Sequence, residues 1–124
     1  MDIEKFAELV EEALRLLPQE FLDRLENVQI DIEAWPTRAD LEAAGLRPGD
    51  KYALLGLYHG VPLTNRGAYY AALPDRITIY QKPIEAVAGP DEEAIRQQVA
   101  RTVIHEIGHY YGIEEKRLRE LGWA

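Results

Sequence analysis

"TVIHEIGHYYGIEE", residues 102–115, sets His105 and His109 four positions apart, with Glu106 directly after the first. The reading of the whole chain turns on whether this stretch is helical. Upstream, "DEEAIRQQVAR" (91–101) begins with carboxylates where a helix macrodipole favours them. Val99, Val103, Ile104 and Ile107 then recur as one apolar stripe, and Gly112 follows as a stop. The pattern predicts a helix from about Pro90 to Tyr111. Residues i and i+4 stand one above the other on a helix face, so the two imidazoles can share one metal. Glu106, one residue on, sits at the edge of that face and can reach a water on the metal rather than the metal itself. Zinc lowers the pKa of such a water to about 7. Glu106 would take its proton and pass it to a leaving amine.

An open zinc site needs a third protein ligand. After His109 the chain reads "YYGIEEKRLRELGWA", too short for a ligand from a distant helix. Gly112 can adopt a positive φ and turn the chain back under the metal. Glu115, three residues further, then comes within reach, giving H-E-x-x-H-x-x-G-x-x-E. Glu114 and His59 are rivals for that place. The plain alternative is an amphipathic helix with polar His105, Glu106 and His109, capped by Gly112 for ordinary reasons.

The rest of the composition narrows the function. With 124 residues, the chain reads as one domain spanning 1–124. Its 47 % hydrophobic and 29 % charged content fits a folded globular protein, not a disordered one. The net charge of −8 argues against nucleic acid and against an anionic membrane surface. There are no cysteines, which excludes disulfides, thiol catalysis and Cys-ligated metal. The N-terminus "MDIEKFAELVEE" has no basic segment and no apolar core of a signal peptide, so a cytoplasmic protein is expected.

Along the chain, residues 2–17 predict an amphipathic helix with Asp2 as cap, and 18–27 one or two more helical turns. "VQIDIEAW" (28–35) alternates as a half-buried strand. "TRADLEAAGL" suggests a short helix and "RPGD" a turn. "YALLGLY" (52–58) and "RITIYQ" (76–81) predict strands. Between them, 59–75 reads as a long loop with a possible strand at 68–71, and 82–90 as a connection. A short final helix is expected over 114–121. Trp35 and Trp123 are expected as apolar anchors. Residues 56–66 are candidates for a strand edge or rim loop beside the helix, and Arg66, Tyr69, Tyr70 and Tyr111 for oxyanion contacts. The class is α+β.

Several stretches together carry a family resemblance: "HEIGHYYGIEE", "NVQIDIE" (27–33), "LLGLYHGVPLT" (54–64) and "LPDRITIYQKPIE" (73–85). With these the chain resembles the bacterial minimal zincin-like metallopeptidases across nearly its whole length. The resemblance implies a compact zincin-like fold. A small mixed sheet packs with an N-terminal helix, the C-terminal active-site helix carries the motif, and a short helix follows. It implies one Zn2+ per chain held by His105, His109 and Glu115, with Glu106 as catalytic base. The reading is thus a zinc-dependent metallopeptidase acting on a peptide or a flexible protein segment, with no nucleic-acid or membrane partner. The alternative is a non-catalytic, metal-holding binding or regulatory module of the same fold. The lack of any methionine beyond Met1, and so of a methionine turn under the metal, suits that alternative.

Overall fold

The computed structural model describes residues 1–60, 74–112 and 115–120, without the side chains of Glu115 and Leu118. Helix α1 (Ile3–Arg15) begins where Asp2 accepts the Lys5 N–H at 2.8 Å, as the sequence predicts. It buries Phe6, Leu9, Val10 and Ala13, and α2 (Gln19–Arg24) adds Phe21.

Strands β1 (Val28–Glu33), β2 (Gly56–His59) and β3 (Asp75–Tyr80) form a mixed sheet of order β1-β3-β2. β1 runs parallel to β3 and β2 antiparallel to it. The register sets Ile30 and Tyr58 beside Ile77, and Ile32 and Gly56 beside Ile79. Because side chains alternate across a strand, these six share one face. Ile77 and Ile79 are fully buried there. Each is worth about 1.5–3 kcal/mol relative to an exposed position.

Helix α5 (Glu92–Tyr111) packs against α1, β2 and β3. Its buried set, which includes Ile95, Val99, Thr102, Val103, Ile104, Ile107 and Gly108, is wider than the single predicted stripe. A helix with neighbours on several sides needs apolar residues on several sides. On the other face of the sheet, Leu41, Leu54 and Tyr80 make a smaller cluster under α3 (Arg38–Ala43). Thr37 and Asp40 close a capping box at the start of α3.

Two expected boundaries move. A strand over 52–58 and a loop from His59 are replaced by a turn over 51–53, then a strand that includes His59. The turn is held by the Ala53 N–H donating to the Asp50 carbonyl at 3.0 Å. Tyr52 meets Trp35 edge-on at 5.0 Å between ring centroids, and the Lys51 ammonium lies 4.5 Å from the Trp35 ring. Trp35 anchors this corner, as expected. The connection expected over 82–90 is instead helix α4 (Gln81–Ala88). Pro83 is its third residue, inside the first turn, where no backbone N–H is needed. The possible strand at 68–71 and Trp123 lie outside the described residues. The final helix, α6 (Glu115–Glu120), lies where it is expected. No helix among the described residues is long and apolar enough to cross a membrane.

Candidate metal centre

The carrier of the motif is built as its sequence requires. Asp91 caps α5 by accepting the Ala94 N–H at 2.9 Å. Gly112 ends it in the left-handed region at φ 70°, ψ 29°. His105 and Glu106 are half-buried and His109 is exposed. The two imidazole centroids stand 6.2 Å apart, one turn from each other.

Two imidazoles on one helix face are a partial zinc donor set, and their chemistry suits that ion. Among the described residues no third His, Asp or Glu joins them closely enough to complete a metal site. Glu115 opens α6 three residues after the Gly112 turn, and its side chain is outside the described part, as is all of Glu114. His59 is described, and the structure does not bring it to the pair. It lies opposite Arg76, one residue from Tyr58, and so on the other face of the sheet. Its charged neighbours are Arg76, Asp40 and Asp31. Burial lowers its pKa, and Arg76 lowers it further.

Glu106 faces the edge of β2 that is turned away from β3. The Tyr80 N–H donates to the Leu55 carbonyl at 3.0 Å. In an antiparallel ladder the inward and outward groups alternate, so Leu55, Leu57 and His59 bond toward β3. Gly56 and Tyr58 turn their backbone groups outward. The Tyr58 N–H there donates to Glu106 Oε1 at 3.0 Å. Burial raises the Glu106 pKa, opposed by that N–H and by the charges of His109 and His105. The carboxylate is thus fixed in place and a stronger base than an exposed one.

β2 comes this close to α5 because two glycines leave room. A Cβ on Gly56 would lie 2.7 Å from Thr102 Cγ2, and one on Gly60 would lie 2.9 Å from the Tyr110 ring. The Tyr58 ring stacks against Tyr110 at 4.0 Å between centroids. Its hydroxyl donates to Asp75 Oδ2 at 2.8 Å. Burial and that carboxylate push the Tyr58 pKa far up, so the hydroxyl stays protonated.

Two concavities flank Glu106. One of about 310 Å³ lies toward the start of α5, between Leu55–Gly56 and Gln98, Arg101, Thr102 and His105. The other, about 270 Å³, is lined by Tyr58, Gly60, His109 and Tyr110. A larger hollow of about 540 Å³ lies at the start of α5, beside Glu92 and Ile95, and contains no histidine.

Tyr58 falls within the 56–66 candidate, whereas Tyr110, Arg101 and Gln98 are site residues that the sequence did not single out. Helical spacing held a signal for two of them. Tyr110 is four residues after Glu106, and Arg101 four before His105. Tyr111, expected as an oxyanion contact, is two residues past His109 and so about 200° around the helix. It lies under the Arg24 guanidinium at 5.3 Å and is not among the residues that line the two concavities. Arg66, Tyr69 and Tyr70 are outside the described residues. Of the rim candidate 56–66, residues 56–60 are described, and β2 pairs only with β3 among the described strands.

The sequence pattern of the zincin-like metallopeptidases matches residues 25–123. A solved structure, a conserved hypothetical protein from Thermo thermophilus, is 31% identical, with 90% of this chain and 94% of that chain covered and a TM-score of 0.55. Among curated proteins none matches significantly. The matched region runs from before β1 to beyond α6 and takes in the whole sheet, α5 and its histidines. The chain belongs to the zincin-like metallopeptidase family.

Proposed function

We propose that the protein is a zinc-dependent peptidase that hydrolyses a bond in an extended peptide or flexible protein segment. His105, His109 and Glu115 hold the ion, and Glu106 is the general base. The observation that carries this reading is Glu106 itself. It is half-buried with a raised pKa, fixed by Tyr58, set beside both imidazoles, and open to a concavity on either side.

Bound zinc supplies Lewis acidity and a nucleophilic water near neutral pH. The chain supplies the rest. The outward N–H and carbonyl of Gly56 and the outward carbonyl of Tyr58 offer an extended substrate a strand edge to pair with, while the Tyr58 N–H holds Glu106. Glu106 accepts a proton from the attacking water and delivers it to the leaving nitrogen as the C–N bond breaks. The products are a carboxylate and an amine.

The test uses zinc-loaded wild type and Glu106→Gln with a mixed peptide pool. Cleavage by wild type, loss of cleavage in Glu106→Gln and equal zinc content in both is the expected result. Equal cleavage by the two proteins would remove Glu106 from the mechanism. Cleavage by neither would favour the metal-holding module.

A further inference from the structure

We infer that Arg101, supported by Gln98, recognises a carboxylate on the substrate, about two residues from the scissile bond. The inference rests on the peptidase reading and names the class of peptide that this site prefers.

Arg101 stands one turn before His105 on the same face of α5 and lines the concavity of about 310 Å³. It is exposed, and no carboxylate among the described residues pairs with it. Arg96, five residues earlier on the same helix, differs: Glu12, Glu92 and Glu93 all ion-pair with it. Of the two arginines of α5, the one without a carboxylate partner among the described residues is therefore the one in the cleft. It is the only cationic side chain of the concavity among the described residues.

Gln98 completes the wall. Its Nε2 donates to Thr102 Oγ1 at 3.3 Å, and the Thr102 hydroxyl donates to the Gln98 carbonyl at 2.8 Å. These bonds fix the carboxamide and leave its second amide hydrogen to donate. A guanidinium fork and an adjacent amide match a planar carboxylate. The chain as a whole carries −8, so an acidic peptide is repelled by most of the surface and attracted here. That contrast fixes the register of a bound peptide as well as its affinity.

Four residues of helix span about 6 Å, and an extended peptide advances about 3.3 Å per residue. The carboxylate thus lies about two residues from the cut, on the side nearer the start of α5. An Asp or Glu side chain and a free C-terminus both supply this chemistry.

The probe is a pool of randomised, N-acetylated decapeptides, made once with amidated and once with free C-termini. It is offered to zinc-loaded wild type for cleavage and to immobilised zinc-loaded Glu106→Gln for retention. The expected result is about five-fold enrichment of carboxylates, in retained peptides and at one position of the cut products, falling in 0.5 M salt. Enrichment in the amidated pool assigns the side chain, and enrichment only in the free-acid pool assigns the C-terminus. Arg101→Glu should turn the preference toward Lys and Arg, which a purely structural role would not do. Retention or cleavage without carboxylate enrichment, no retention at all, or enrichment that survives Arg101→Glu would overturn the inference. Carboxylate-selective retention without any cleavage by wild type would instead leave the carboxylate site standing and remove the peptidase reading.

Discussion

The backbone N–H of Tyr58 donates to Glu106 Oε1 at 3.0 Å, tying the outer edge of β2 to the helix that carries both histidines. One bond thus joins the strand edge proposed to pair with peptide to the carboxylate proposed to move a proton. It also gives Glu106 a structural duty separable from a chemical one. Glu106→Gln keeps an acceptor oxygen for Tyr58, whereas Glu106→Ala leaves the N–H unmet in a half-buried place. The alanine variant should lose about 1–3 kcal/mol of stability and the glutamine variant much less. Urea denaturation of the metal-free proteins measures this, and equal losses would show that the bond contributes nothing.

The approach of β2 to α5 depends on Gly56. A methyl group there meets Thr102 Cγ2 at 2.7 Å and the Thr78 carbonyl at 3.2 Å. Gly56→Ala should destabilise the protein by about 1–3 kcal/mol. Thr102→Ser removes Cγ2 and keeps the hydroxyl that donates to Gln98. It should therefore recover part of the loss, with a coupling of about 0.5 kcal/mol or more in a double-mutant cycle. Strict additivity would mean that the strand shifts away instead of pressing on Thr102.

Much of this arrangement was legible in the residues, because the signals involved are local. Asp2, Asp91 and Gly112 mark the ends of α1 and α5 through capping chemistry, and alternation marks β1 and β3. The i, i+4 spacing alone puts His105 over His109. What stayed hidden depends on distant partners. Tyr52 reads as a strand residue until Trp35 holds it in a turn. Pro83 reads as a breaker unless a helix is known to start at Gln81. His59 stayed a candidate ligand because the parity of β2 is fixed by its register with β3. The Tyr58–Glu106 bond joins residues 48 apart in sequence, and no periodicity reports it.

Metal binding separates the remaining ligand assignments. His109→Ala and Glu115→Ala should each lower zinc content well below one per chain, because each removes a proposed donor. His59→Ala should leave zinc unchanged, since His59 lies across the sheet beside Arg76, Asp40 and Asp31. Glu114→Ala should also leave it unchanged. Elemental mass spectrometry on untagged protein, purified without chelator, reads all four. Full zinc in Glu115→Ala with loss in Glu114→Ala would move the third ligand by one residue.

His59 should also leave a mark on stability as pH changes. Burial, with Arg76 next, lowers its pKa in the folded protein below the ordinary 6.5. The unfolded chain therefore binds more protons at position 59 in the interval between the two values. Where that holds, stability rises with pH. The contribution is complete above about 6.5 and is lost as pH falls through the folded value. Metal-free wild type should thus lose more stability than metal-free His59→Gln as pH drops from neutral toward 5. The two proteins differ only at position 59, so the contributions of all other groups cancel in the difference. Parallel curves of unfolding free energy against pH for the two proteins would show that the surroundings of His59 do not disfavour its charged form.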